Sequence, residues 1–320
     1  MTTSINCTVK LFRIRFHSTI LMMSCYKLTL MALCYILKIR YIFSNNYVIE
    51  PKEFVEMSIL IEKNTKTIPN YLFRTCESNI RELPYEFHRI LNETHKENDD
   101  YIQIYFSNYE RKLFVKTFHS LYYELYLSLV PGAYQADLFR LLILYSFGGL
   151  YADISVQFLK KINSFINSTD EFISVKEINN WGIQQTFIAA YPKHPLILKM
   201  IELVTANIRG KDYGTNTLDI TGPYAIFRAY NHFFGYPDEQ PIQGGINIIK
   251  NYRVKFLYHI IDKENKNFIT MEPDNIDSRV MKKKFPGYKQ LIYQNQSIHY
   301  TILWKQRSVF VKNNATSNIM

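Results

Sequence analysis

The chain has 320 residues, a formal net charge of +10 and 47% hydrophobic residues. This length can bury the core of one large α/β domain, and the hydrophobic content, with 15% aromatic residues, excludes a disordered chain. The charge does not indicate nucleic-acid binding, because it is concentrated in residues 1–40, which contain no acid. The only other basic run, Lys282–Lys284, is expected to be a solvated loop.

The N-terminal region predicts a membrane anchor. Residues 18–37 form a twenty-residue apolar run whose single charge is Lys27, and this length suits a helix that spans a bilayer. Flanking basic residues slightly favour a cytosolic N-terminus. A cleaved signal peptide, a spurious extension and a helix lying on a membrane surface are the alternatives. We therefore expect a basic tail (1–17), a signal-anchor (18–37), a stem (38–67) and one large domain (68–320).

The first part of that domain alternates strands and helices. A strand is expected at 68–75, where IPNYLFRT resembles the first strand of the family named below. An apolar run predicts a strand at 101–106, and amphipathic patterns predict helices at about 78–93 and 110–127. This β-α-β order predicts an α/β domain with a mostly parallel sheet flanked by helices.

The most informative stretch is residues 133–156, AYQADLFRLLILYSFGGLYADISV. It predicts an amphipathic helix that ends at Gly148–Gly149, where a left-handed cap favours residues without a Cβ. A short apolar strand follows, and Asp153 is expected at its carboxyl end. Open α/β sheets bind their ligands at the carboxyl ends of the strands. Asp137 and Arg140 lie three residues apart and project from one face of the helix.

An aspartate, an arginine and a strand-end aspartate suit an anionic ligand held with a divalent cation. The alternative is a buried helix–strand unit in which Asp137 and Arg140 form an ordinary ion pair. The spacing by itself leaves both interpretations open.

The rest of the chain predicts further α/β elements. A strand is expected at 172–175, an apolar segment at 184–190, a helix at about 196–209 and a turn at 221–223 (Thr-Gly-Pro). A closing segment, SIHYTILWK, occupies 297–305.

The long motif is similar to the ADLFRY-LLY-GGIYLDxD signature of glycosyltransferases with a DXD motif. It most resembles glycosyltransferase family 32, which includes initiating α-mannosyltransferases, sphingolipid mannosyltransferases and α-galactosyltransferases. Weaker similarity extends from about residue 68 to 310. The resemblance implies a GT-A-like fold that moves a hexose, with retention, from a GDP- or UDP-sugar to a glycan or glycolipid. Mannose is mildly favoured.

The resemblance also implies roles for single residues. Three of them would be catalytic: Asp137, Arg140 and Asp153. Four more would contact the nucleotide-sugar donor: Thr75, Gly149, Tyr151 and Trp304. A Mn²⁺ or Mg²⁺ ion would be held by Asp153, Ser155 and His299.

The motif departs from DXD at its second acid, which is Ser155 here. Alternation along a continuing strand would keep Ser155 on the same side as Asp153, but a hydroxyl offers the metal only a neutral oxygen. This departure favours, as the alternative function, a catalytically weak sugar-binding or scaffold protein. With the anchor, the resemblance predicts a single-pass type II membrane protein of the secretory pathway, in the Golgi or endoplasmic reticulum.

Overall fold

The computed structural model describes residues 66–284 and 298–311. The predicted tail (1–17), the predicted anchor (18–37) and nearly all of the predicted stem (38–67) lie outside the described residues. Within the described ranges, no helix combines the length and hydrophobicity that crossing a bilayer requires.

Ten described strands form a single sheet, in the order β2-β1-β3-β6-β5-β8-β9-β10-β4, and β7 pairs with β8. The strands are β1 (Tyr71–Thr75), β2 (Ile102–Phe106), β3 (Gly149–Ala152), β4 (Gln157–Phe158), β5 (Phe172–Lys176), β6 (Ile183–Ala190), β7 (Gly245–Ile249), β8 (Tyr252–Ile261), β9 (Asn267–Thr270) and β10 (Arg279–Lys282).

The expectation of a mostly parallel sheet is wrong. Among the described strands, only β1 with β2, β1 with β3 and β5 with β8 pair in parallel, and the other neighbours are antiparallel. The C-terminal half of the chain causes this difference, because hairpins replace helical crossovers there. For example, Lys250 and Asn251 alone join β7 to β8, both with positive φ, and so short a connection permits only antiparallel strands.

Each of the four expected helical segments is present, although the first begins at residue 85 instead of 78, and the structure adds two helices that were not expected, at 223–234 and 300–305. The helices are α1 (Tyr85–Glu97), α2 (Asn108–Phe118), α3 (Ser120–Ser128), α4 (Gly132–Phe147), α5 (Pro195–Gly210), α6 (Pro223–Phe234) and α7 (Tyr300–Lys305). The single helix expected at 110–127 is divided at His119, which leaves helical geometry with φ −137° and ψ 43°. The apolar segment at 184–190 is strand β6.

Helix α4 and strands β3 and β6 form the centre of the domain. Most of α4 and all of β3 and β6 are buried. The sharp turn between α4 and β3 needs its two glycines: Gly148 and Gly149 have φ of 65° and 93°, and a Cβ on either would lie within 3 Å of Pro192 or of Tyr71. The predicted glycine cap is thereby confirmed.

The site lies at the edge of the sheet where two strands end and an antiparallel neighbour begins. The parallel strands β1 and β3 end at one edge of the sheet, and the antiparallel β6 begins at the same edge. The main-chain N–H of Asp153 donates to the Thr186 carbonyl at 2.9 Å, so the residue after β3 lies beside the start of β6.

Candidate active site

A cleft opens at this edge and has two adjoining lobes of about 660 and 300 Å³. Six residues border both lobes: Ala133, Arg140, Asp153, Thr186, Lys283 and Tyr300. The larger lobe also meets Arg111, Lys284 and His299, while the smaller lobe meets Asp137, Glu177, Gln184 and Gln185. Among the charged residues, four cations and two acids border the larger lobe, whereas three acids and two cations border the smaller lobe.

Arg140 is the buried centre of the cleft floor. Its Nε donates to the Ala136 carbonyl at 3.2 Å, and its Nη1 donates to the Gln185 carbonyl at 2.6 Å. Its Nη2 lies 3.2 Å from Asp137 Oδ1, and the guanidinium stacks on Tyr151 at 4.5 Å from the ring centroid. Most of its donors are thus occupied within the protein, so Arg140 holds α4 against β6 and orients acids.

Asp137 faces the smaller lobe. Its Oδ2 accepts a hydrogen bond from Thr221 Oγ1 at 2.8 Å, which links α4 to the Thr-Gly-Pro turn. Burial raises the pKa of Asp137 to about 7, although Arg140 and the Thr221 hydroxyl act in the opposite direction.

Asp153 is an accessible carboxylate of the cleft, with a side chain that is 33% exposed. The Tyr151 hydroxyl donates to its Oδ1 at 3.1 Å, and Arg140 Nη1 lies 3.7 Å from the same oxygen. Tyr151 therefore acts on the cleft through both Arg140 and Asp153. Since Asp153 borders both lobes, it stands where ligands in the two lobes would meet.

A second buried arginine, Arg74 on β1, holds the turn that carries Asp153. Its Nη1 donates to the carbonyls of Asp153 and Val156 at 2.9 and 3.0 Å. Burial lowers the pKa of Arg74 to about 9, against the favourable field of Asp153. The sequence motifs did not indicate Arg74, and its one signal in the sequence is a charge within an apolar strand.

Ser155 does not occupy the predicted position. The chain leaves β3 at Ala152 and turns, with the Val156 N–H donating to the Asp153 carbonyl at 3.0 Å, so strand alternation does not apply. Ser155 is 1% exposed, and its hydroxyl donates to the Lys283 carbonyl at 3.0 Å. An ionised aspartate at position 155 could not replace this hydrogen bond, because a carboxylate has no proton to donate to the Lys283 carbonyl.

The site residues do not fit the expected Mn²⁺ or Mg²⁺ ion. Such ions prefer several carboxylate or other hard oxygen ligands, and Ser155 Oγ is already committed to Lys283. In the described part of the chain, no three His, Cys, Asp or Glu side chains converge in a way that could hold a metal. Asp153 therefore does not belong to a cluster of three such ligands in the described residues.

His299 borders the larger lobe as the N-cap of α7, and its Nδ1 accepts the Thr301 N–H at 3.2 Å. This hydrogen bond occupies the Nδ1 lone pair, so Nδ1 is not available to a metal ion. Thr75 also borders the larger lobe, but its hydroxyl donates to the Phe106 carbonyl and accepts from Arg111, each at 2.6 Å.

Two predicted donor-contact residues lie away from the cleft. Gly149 is at the opposite end of β3 from Asp153, and its missing Cβ makes room for Tyr71 of β1 rather than for a ligand. Trp304 borders neither lobe; its Nε1 donates to the Tyr213 carbonyl at 2.9 Å. Their similarity to the family pattern has a packing explanation here.

The structure adds cleft residues that the motifs did not indicate. The run Lys282–Lys284 is not a solvated loop: Lys282 ends β10, and Lys283 enters both lobes. Burial lowers the pKa of Lys283, although Glu177 and Asp153 favour its charge. Glu177 enters the smaller lobe at the end of β5 and accepts a hydrogen bond from Gln184 at 2.9 Å.

A protein-family model matches the first part of the described chain. Residues 69–188 match the family model described as a glycosyltransferase sugar-binding region containing a DXD motif. This match supports a glycosyltransferase. It includes β1, α4, β3 and Asp153 and ends within β6.

A solved structure titled PaToxG glycosyltransferase is also similar to this chain, with a TM-score of 0.44 and 19% sequence identity. That similarity covers 55% of this chain and 82% of that chain. No curated protein matches the sequence.

Proposed function

We propose that this protein transfers a hexose from a nucleotide sugar to a glycan or glycolipid acceptor. The observation that carries the proposal is a lobe bordered by carboxyl and amide side chains, beside a lobe in which cations outnumber acids. Asp137, Glu177, Gln184 and Gln185 border the smaller lobe. Carboxylates accept hydrogen bonds from sugar hydroxyls, and amides both accept and donate.

The larger lobe suits the nucleoside diphosphate. Its cationic border, with Lys283 and Lys284, favours phosphate charge, and the apolar side chains of Val130, Ile154 and Ile298 offer a surface for the nucleoside. The smaller lobe then receives the hexose, whose hydroxyls would be bound by Asp137, Glu177 and the two glutamines.

The reacting bond would lie at the junction of the lobes. There, Asp153 orients a hydroxyl of the donor. The Arg140 guanidinium lies between the carboxylates of Asp137 and Asp153 and fixes the position of both. We further propose, from the resemblance to family 32, that the donor is GDP-mannose and not UDP-galactose or UDP-glucose. The same resemblance favours transfer with retention of the anomeric configuration.

A donor screen on the full-length protein tests this function. Purified protein is incubated with GDP-mannose, UDP-galactose or UDP-glucose, with and without a glycolipid acceptor, and nucleotide release is measured. We expect release from one donor, accelerated by acceptor. If no donor is turned over although hexoses or glycans bind, the protein is the sugar-binding or scaffold alternative that Ser155 favours.

We also propose that residues 18–37 anchor the protein as a single-pass type II protein of the secretory pathway. Full-length protein expressed in cells should remain in the membrane pellet through alkaline carbonate extraction, because a twenty-residue apolar run can span the hydrocarbon core. In sealed vesicles, residues 68–320 should be protected from added protease. Carbonate release would exclude a span, and digestion of the domain would reverse the orientation.

A further inference from the structure

The turn after β3 and the strand β10 meet at an unusual place in the cleft. The Ser155 hydroxyl donates to the main-chain carbonyl of Lys283, and the Lys283 N–H donates to the Asn267 carbonyl at 2.9 Å. Lys283 is therefore held by its backbone on both sides. Ser155, at the second position of the acidic motif, therefore fixes the main chain of a lysine and does not act as a metal ligand.

The side chain of Lys283 projects into the cleft without a fixed partner. It borders both lobes, and its ammonium makes no hydrogen bond or ion pair with the described residues. A partly buried ammonium without a hydrogen-bonded partner is costly, so an anion in the cleft would offset this cost.

The arginines of the larger lobe are less available. Arg111 donates to Thr75, to the Cys76 carbonyl and to Glu77 at 2.5–3.0 Å, and Arg140 is occupied by Ala136, Gln185 and Asp137. Lys283 thus remains as the cation at the junction of the lobes, where a diphosphate and its hexose would be joined.

We propose that Lys283 supplies the positive charge that a divalent cation supplies in glycosyltransferases with a complete acidic motif, so that turnover needs no metal. This inference rests on the proposed function. In the step, the bond between the anomeric carbon and the diphosphate oxygen breaks, and its electron pair remains on the diphosphate. The acceptor oxygen bonds to the anomeric carbon, and its proton passes to the departing diphosphate. Lys283 donates hydrogen bonds to the oxygen that gains charge.

The test compares full-length wild type with Lys283→Met after removal of metals, using the donor found in the screen. We expect the wild type to keep most of its kcat/KM in EDTA and to gain less than about threefold from Mn²⁺. Lys283→Met should lose about 10²-fold in kcat, the usual effect of removing one donor to a developing anion. Its melting temperature should not fall, because the lost ammonium makes no bond within the described structure.

Lys282→Met is the matched control, since Lys282 is the preceding residue and borders neither lobe. It should keep wild-type activity. A wild type that loses activity in EDTA and regains it with Mn²⁺, or a Lys283→Met variant with wild-type kcat, would overturn the inference.

A binding measurement separates this inference from the proposed function. Calorimetry with GDP and UDP in EDTA should show binding to wild type and at least tenfold weaker binding to Lys283→Met. If no donor is turned over but this difference is found, the transfer function fails while the lysine site stands. If neither nucleotide binds without metal, or both variants bind equally, the lysine site is wrong even when transfer is observed.

Discussion

Arg140→Lys should lower the melting temperature of the protein by about 6–12 °C and abolish transfer. The lysine keeps the charge but cannot reach Ala136, Gln185 and Asp137 together, so buried carbonyl and carboxylate oxygens lose their donors. Breaking a buried network of this kind costs about 3 kcal/mol, and each kcal/mol lowers the melting temperature of a domain of this size by about 2–4 °C. Thermal unfolding by circular dichroism measures the shift.

Arg89→Lys is the matched control on α1. Arg89 also pairs with two acids, Glu86 and Glu93, but all three side chains are at least 34% exposed. Exposed helix pairs contribute only about 0.3–0.5 kcal/mol, so its unfolding temperature should move by about 2 °C or less. Equal shifts for the two variants would show that Arg140 is not the buried bridge described above.

Asp153→Asn should have the opposite signature: transfer falls by about 10²–10³-fold while the fold is retained. The substitution preserves shape, and the Tyr151 hydroxyl can still donate to the amide oxygen. Because the Asp153 side chain is 33% exposed, its neutralisation should move the melting temperature by no more than about 2 °C. The measurements are initial rates at saturating donor and a thermal unfolding curve.

Asp274→Asn, an exposed aspartate outside both lobes, should leave both quantities unchanged. Wild-type rates in Asp153→Asn would remove Asp153 from the reaction and would place the transfer site elsewhere. A large fall in its melting temperature would instead show that the carboxylate is a structural partner of Tyr151 and Arg140.

The central unit of the site was predictable because its signals are local. The helix α4, the two glycines that need positive φ and the short strand before Asp153 all lie within residues 133–156, and the structure contains each of them. The expected amphipathic pattern of α4 was wrong, because this central helix is buried on nearly all of its sides. The early strand at 102–106 was also predictable from local signals, whereas the strand at 71–75 was expected from its resemblance to the family's first strand. The sheet direction was not, because it depends on hairpins far along the chain that the helical pattern of the first half did not reveal.

What only the tertiary structure decided are the contacts between distant segments. Arg74 reaches the Asp153 turn across 79 residues, and Ser155 reaches Lys283 across 128, because β1 lies beside β3 and β10 pairs with β4. The sequence by itself determined a helix, a glycine turn and an acid at a strand end, since backbone sterics and side-chain periodicity act over a few residues. Which cation stands opposite that acid was determined by strand pairing, which brings together residues with no relation along the chain.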